Sequence, residues 1–284
     1  MNGTLGYLLV RAVLAMVAVF PWSANFFAKL IDIAVPRYRR IALRNLELAG
    51  YSQPGPIVDG VFRSIGRLLR GFAMFPRINA RNVHEWIAYE GLENFTGPLA
   101  RGKGVLVATA HLGNWELSAF THAYMTGPMN IVVRPLDNPP LDAFVERRRG
   151  LSGNPVIQKK DAARAIFRAL HAGESVGILV DQNATPEEGV FVDFFGRKAC
   201  ANAAFVKFAH RTGAAVVPGF ALWDAAKGRY TLRFYPEIPM TGDVQVDTQA
   251  VHTQLESVIR EYPDQWLWIH RRWKTRPPGE PPLY

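Results

Sequence analysis

Three short apolar runs, set among helical patterns, constrain this chain more than any other feature of it. Gly104–Ala110 (Gly-Val-Leu-Val-Ala-Thr-Ala), Asn130–Val133 and Val176–Val180 read as buried strands. The pattern between them is helical: Trp115–Met125 closed by Gly127, Pro140–Arg149 ending at Gly150, and Ala162–Ala172, capped by Asp161 and followed by Gly173. Further on, Asn202 begins a helix ending at Gly213. Ala214–Trp223 and Arg229–Tyr235 read as a hairpin around Lys227-Gly228, and Asp247 opens a last helix to about Tyr262. Strands alternating with helices predict an α/β fold: a mixed, mainly parallel central sheet flanked by helices, mixed where the hairpin joins its edge.

Before about residue 86 the pattern is helical throughout. Arg37–Ala49 is amphipathic and stops at Gly50, and Ile57–Phe75 follows the turn-rich Ser52–Pro56. Leu5–Trp22 is apolar apart from Arg11, and its 18 residues stand at the short edge of a membrane span. A buried core helix, a membrane anchor and a signal peptide compete here. No Lys or Arg precedes Arg11 and no Ala-x-Ala-like cleavage site follows Phe20, which counts against a signal peptide. Pro21 breaks the run, Ser23 is placed to cap a second helix, and Ala24–Val35 is again apolar. Two adjoining apolar segments suit a hairpin that dips into a bilayer or lies on it. Lys29, Arg37, Arg39, Arg40 and Arg44 place the rest of the chain on the cytoplasmic face of the plasma (inner) membrane. A membrane-anchoring helical segment over residues 1–36, followed by one domain over 37–284, is therefore expected.

The formal net charge of +9 draws the chain to anionic partners, whether nucleic acid, lipid headgroups or acidic carrier proteins. No nucleic-acid-binding motif is present, so nucleic acid is not expected. The basic clusters, Arg147-Arg148-Arg149 and Arg271-Arg272 with Lys274, read by default as solvated faces. A single cysteine, Cys200, excludes both an internal disulfide and a Cys-based zinc site within one chain.

The sharpest motif is His111-Leu-Gly-Asn-Trp-Glu116, directly after the first buried strand and running into a helix. Active-site groups of α/β sheets collect at the carboxyl ends of strands. Glu116 lies about one turn into the helix, so its carboxylate is expected to reach back to the imidazole, fix its tautomer and stabilise the imidazolium. The other ring nitrogen then takes a proton from a substrate hydroxyl. Gly113 allows close backbone approach, and the first helical N–H groups are candidates to hold an oxyanion. The bland alternative is a capped turn with an incidental histidine. The spacing is not that of the metal-binding His-Glu-x-x-His.

With the His-x4-acid motif, further blocks complete a resemblance. They are Val133–Pro139 (Val-Arg-Pro-Leu-Asp-Asn-Pro), Asp181-Gln-Asn183 with Gly189–Gly196, Pro218, and Gln265–Lys274 (Gln-Trp-Leu-Trp-Ile-His-Arg-Arg-Trp-Lys). From about residue 5 to 276 the chain resembles the lysophospholipid acyltransferase-like superfamily. It is most similar there to the late (lauroyl/myristoyl) acyltransferases of lipid A biosynthesis and to the phosphatidylinositol mannoside acyltransferases. The resemblance implies an O-acyltransferase that takes its chain from acyl carrier protein or acyl-coenzyme A and passes it to a glycolipid or phospholipid hydroxyl. It also implies direct transfer, no cofactor and no metal. His111 and Glu116 are then the catalytic pair. Arg134 is the candidate cation for an oxyanion or phosphate, against a surface ion pair. Asp181 is placed to orient His111 or Arg134, against a capping role. Asn114 binds substrate or caps the helix, and Phe191, Phe194 and Phe195 line an acyl tunnel or belong to an aromatic core.

Two other classes compete. Gly173-Glu-Ser-Val-Gly177 matches the Gly-x-Ser-x-Gly elbow of serine hydrolases, but a helix precedes it and a strand follows, the reverse of what the elbow needs. A non-catalytic membrane-binding module explains the charge and the N-terminus and leaves His111 without a role.

Overall fold

The computed structural model describes residues 3–158 and 162–284. Asp161, expected to cap a helix, lies outside the described residues. The chain begins with helices α1 (Gly3–Val19), α2 (Ser23–Ala34), α3 (Pro36–Leu48), α4 (Pro54–Met74) and the short α5 (Val83–Trp86). There follow β1 (Ile87–Glu90), α6 (Glu93–Ala100), β2 (Val105–Thr109), α7 (Trp115–Met125), β3 (Asn130–Val133) and α8 (Pro139–Arg149). Next come β4 (Val156–Gln158), α9 (Ala162–His171), β5 (Ser175–Leu179), β6 (Gly189–Phe194), β7 (Arg197–Asn202) and α10 (Ala204–Thr212). The hairpin β8 (Ala215–Asp224) and β9 (Arg229–Phe234) and the long α11 (Val244–Glu261) complete the order.

The main sheet has the order β1-β9-β8-β2-β5-β3-β4. β2 runs parallel to β5 and β8, and β3 parallel to β5 and β4. β9 returns antiparallel to β8, and β1 pairs parallel with β9, so both oppose the rest. This is the expected mixed, mainly parallel α/β sheet. Period-2 alternation along β2 divides the core. Val105 and Val107 join Phe120, Met129 and Phe234 on one face; Leu106 and Ala108 join Phe194, Trp266 and Trp273 on the other.

Several elements differ from the sequence reading. β1 and β4 are sheet edges too short to show in a hydrophobic pattern, and β6–β7 is a separate antiparallel hairpin. α11 starts at Asp243, whose carboxylate caps Gln245 and Val246. Asp247 instead lies buried in the first turn and accepts from Thr241, Gly242 and His210. Asn202 sits before α10 and caps Ala204 from outside. Ser23 makes no helix cap; its hydroxyl donates to the Phe20 carbonyl.

The N-terminal helices are one-sided. α1 buries Leu14 and Val17 against α4 and α8. Yet among the described residues all the exposed large hydrophobic side chains except Leu136, Leu151 and Val246 lie between Leu5 and Tyr38. Trp22 is 73% exposed and Phe26 60%. No helix among the described residues is long and apolar enough to cross a membrane.

Residues 266–284 contain no helix or strand, yet Trp268 and Trp273 are fully buried. Such a strap needs side-chain partners for its backbone. Asn45 on α3, itself fully buried, donates Nδ2 to the carbonyls of Trp268 and His270 at 2.6 Å each, and its Oδ1 accepts from the Tyr284 hydroxyl. Asn45→Ala leaves these groups unpaired, and each orphaned group costs about 1–3 kcal/mol. Urea unfolding should therefore show a loss of about 2–4 kcal/mol; a loss under about 0.5 kcal/mol, the range of ordinary surface substitutions, would mean that the strap is held elsewhere.

Candidate active site

The parallel register of β2 and β5 pairs Thr109 with Leu179, so two residues on, His111 and Asp181 leave the sheet side by side. The Asp181 carboxylate is 3% exposed and takes three N–H groups. Oδ1 accepts His111 Nδ1 at 2.9 Å; Oδ2 accepts the His111 backbone N–H at 3.0 Å and Trp266 Nε1 at 2.8 Å. A carboxylate can only accept, so Nδ1 carries the proton and Nε2 is left as the basic nitrogen. Among the described residues Nε2 has no hydrogen-bond partner. Trp115 stacks edge-on against the imidazole at 4.9 Å.

The loop after β2 is fixed from two sides. Gly113 N donates to the Gln265 carbonyl and Asn114 N to the Ala221 carbonyl, each at 2.9 Å, while Leu267 N donates to the His111 carbonyl. Gly113 has φ +64°, and a Cβ there would stand 1.9 Å from the Ala221 oxygen. The close approach expected of this glycine is thus an approach to β8. Both N–H groups are engaged, so they are not available to an oxyanion. Asn114 caps α7 by accepting from Leu117 N, and is fully buried.

Glu116 is placed differently from the expectation that it orients His111. Its two oxygens form a fork with Arg149, at 2.9 Å from Nε and 2.5 Å from Nη2. Both side chains are mostly buried. The sequence reading left Arg149 on a solvated face, because nothing in an Arg-Arg-Arg run marks which member turns inward. The end of α8 settles it: Arg148 caps the Phe72 and Ala73 carbonyls of α4 and Arg149 faces Glu116. Arg134 is 76% exposed and, among the described residues, pairs only with Asp137, at 3.3 Å. Phe194 and Phe195 are buried among Trp266, Trp268 and Trp273, whereas Phe191 is half-buried on β6. Ser175 is the buried first residue of β5, after α9, in the order that counts against a nucleophile elbow.

Beside Glu116 and Arg149 a narrow apolar cleft runs between α7 and the sheet. Val107, Met129, Ile131, Val133 and Leu179 give it apolar walls, and Thr109 and Trp115 stand with the ion pair at its polar part. Phe194 and Phe195 do not line it, because they belong to the opposite face of the sheet.

Residues 2–275 match the family described as bacterial lipid A biosynthesis acyltransferase. The chain belongs to that family. It is 30% identical to the lipid A biosynthesis palmitoleoyltransferase of Escherichia coli K12 over 257 residues, 87% of this chain and 82% of that one. It is 29% identical to the lauroyltransferase of the same organism over 255 residues (87% and 83%). It is 27% identical to the phosphatidylinositol mannoside acyltransferase of Mycobacterium tuberculosis H37Rv over 277 residues (94% and 86%). The protein is thus an acyltransferase, as its motifs implied.

Electrostatics in this acyltransferase favour a basic imidazole. Burial pushes the His111 pKa down, but the charge and hydrogen bond of Asp181, with the charge of Glu116, outweigh it, and the net shift is upward. Burial pushes Asp181 up, yet His111, Trp266 and the His111 backbone N–H hold it down, at about 2. The sign follows by linkage. The raised His111 pKa contributes stability below the unfolded imidazole value, lost as pH rises through the folded one. The lowered Asp181 pKa contributes above the unfolded carboxyl value, lost as pH falls towards about 2. Asp181→Asn removes the main opposing charge and leaves burial in control. Imidazole resonances followed by NMR should then show the His111 pKa fall below that of the intact protein; an unmoved pKa would exclude Asp181 as its source.

Proposed function

We propose that this acyltransferase moves a fatty acyl chain from an acyl thioester, borne by acyl carrier protein or coenzyme A, to a hydroxyl of a lipid A precursor or similar glycolipid, with His111 as general base. The reading is carried by one observation: an imidazole with Nδ1 bound to a buried carboxylate and Nε2 unpartnered, at the carboxyl edge of the sheet. The acceptor O–H gives its proton to Nε2 as the oxygen attacks the thioester carbon and a C–O bond forms. Collapse of the tetrahedral oxyanion breaks the C–S bond, and the imidazolium returns the proton to the leaving thiolate. No protein nucleophile is needed. Asp181 orients the base through Nδ1. Glu116 adds its charge to the stabilisation of the imidazolium and holds Arg149, which replaces the exposed Arg134 as the cation proposed for the oxyanion. The apolar cleft beside this pair is offered to the acyl chain. Relatives named for lauroyl, palmitoleoyl and phosphatidylinositol mannoside transfer support a long-chain acyl group and a glycolipid acceptor.

The reading is tested by transfer from a thioester donor with purified variants whose fold is checked by circular dichroism. General-base catalysis is typically worth about 10²–10⁴-fold, so His111→Ala should lose at least that much. Asp181→Asn should also lose rate, and Ser175→Ala should stay within a few-fold. The acid limb of kcat/KM should lie above the ordinary imidazole value of about 6.5, because the His111 pKa is raised. A folded His111→Ala protein with near-normal turnover would end this mechanism.

We also propose that residues 1–36 dock the protein on the cytoplasmic face of the inner membrane, with residues 37–284 performing transfer. The exposed apolar side chains of α1 and α2 support docking on the surface rather than a span. Deleting α1 would uncover the contacts of Leu14 and Val17, so a surface change is the sharper test. Leu8→Lys with Phe26→Lys, both on the exposed face, should sharply lower co-sedimentation with phospholipid vesicles at unchanged circular dichroism. Full retention would place the contact elsewhere.

A further inference from the structure

Across the start of α7 from His111, a second cleft opens between α4, α5 and the β8–β9 turn. Arg67 and Arg70 of α4 enter it with Arg229 and Tyr230 of β9. Arg67 lies over the Trp223 ring at 5.3 Å and Arg70 over Trp86 at 5.9 Å, which fixes both guanidinium groups against aromatic faces. Arg229 donates to the His84 carbonyl at 3.0 Å. Among the described residues none of the three arginines forms an ion pair, and Glu85 is the one acid lining the cleft. The Tyr230 hydroxyl, at the wall of the cleft, has Arg67 beside it and Asn114 behind it as its hydrogen-bonding neighbours. Tyr230 is 4% exposed and Asn114 fully buried. Asn114 Nδ2 stands directly behind Gly71, where a Cβ would come within 2.8 Å of it. Burial pushes the Tyr230 hydroxyl up to about 12 although Arg67 and Asn114 lie close enough to favour its ionised form, so it is a protonated donor at neutral pH.

Three arginines without ion pairs among the described residues, two of them held on aromatic faces, give the cleft a positive charge that nothing lining it but Glu85 offsets. The polar groups that line it are donors or can act as donors. A carboxylate is saturated by one guanidinium fork, whereas a phosphate monoester presents three terminal oxygens and up to two charges. We propose that this cleft binds a phosphate monoester, with Arg67, Arg70 and Tyr230 as its principal ligands. The group is borne either by a lipid headgroup or by a soluble molecule. The site is independent of the acyl-transfer mechanism, no step of which uses it.

Trp86 and Trp223 make the cleft its own reporter. Glycerol 3-phosphate titrated into the full-length protein should give a saturable change in tryptophan fluorescence. Its Kd should rise at least tenfold in Arg67→Gln/Arg70→Gln and severalfold in the conservative Tyr230→Phe. It should be unmoved in Arg164→Gln/Arg168→Gln, which removes the same charge from the exposed face of α9. In a second arm, each protein is sedimented with phosphatidylcholine vesicles with and without phosphatidic acid. Loss of the phosphatidic-acid-dependent fraction in Arg67→Gln/Arg70→Gln, but not in the charge-matched control, assigns the phosphate to a lipid headgroup. Loss of glycerol 3-phosphate binding with vesicle binding kept assigns it to a soluble molecule. No saturable response in the intact protein, or equal weakening by both double variants, overturns the proposal.

Discussion

The site depends on one buried carboxylate. Asp181 has given up water, a cost of several kcal/mol for an isolated charge, and recovers it only because three N–H groups converge on it. Two of those donors are the backbone and side chain of His111, just past β2, and the third is Trp266 in the closing strap. The carboxylate therefore ties the sheet to the strap, and the same bonds that settle the strap set the imidazole tautomer. The backbone around it is closed in the same way. Leu267 donates to the carbonyl of His111, and Gln265 accepts from Gly113 N while its side chain bridges Trp223. The geometry around His111 and the folding of the last twenty or so residues are one problem in this protein.

Where the sequence was legible and where it was not follows from the range of the interactions. The buried strands and the β8–β9 hairpin announce themselves locally, by runs of apolar residues and by Lys227-Gly228. The position of His111 at a strand end is equally local. The partner of its Nδ1 is not. Glu116 looked right because it lies five positions on, within a turn of helix. Asp181 is seventy positions on, and only the parallel register of β2 with β5 brings it alongside. Sequence reading named Asp181 as an orienter of His111 or Arg134, but had no means of choosing between them. Arg149 and Arg134 show the same limit. Each follows or ends a regular element, each is basic, and what distinguishes them is a helix end turned towards α7 against a loop turned to water.

The aromatic residues divide by the same alternation that builds the sheet. Odd-numbered residues of β2 face the cavity and even-numbered ones face the tryptophan-rich core. Phe194 and Phe195, on the second face, pack with Trp266, Trp268 and Trp273 and support the strap that holds Asp181. Their contribution to the site is one of support from below the sheet. The cavity wall is made by aliphatic side chains of β2, β3 and β5 with Trp115 and Phe234 instead. A residue count of aromatics cannot separate these roles, because the decision rests on which side of a pleated strand each neighbour lies.

The N-terminal helices are not a detachable tether, and this bears on how docking reaches the site. α1 rests on α8: Tyr7 packs edge-on against Phe144 at 6.0 Å, and Asn138 donates to the Gly3 carbonyl at 2.7 Å. α8 in turn ends in Arg148, which caps α4, and Arg149, which holds Glu116. α2 packs on the same α4, whose last turns reach Asn114 behind Gly71. Under the proposed docking, the elements that carry the exposed apolar side chains are therefore one packed layer from both Arg149 and the cap of α7. Protein interiors are close-packed and transmit displacement rather than absorb it. Seating α1 and α2 on a bilayer would thus fix the height and tilt of the His111 edge above the lipid surface, so an acceptor hydroxyl presented at that surface would meet the proposed base at a defined distance. A flexible anchor would leave that distance to chance; the packing of α1 on α8 does not.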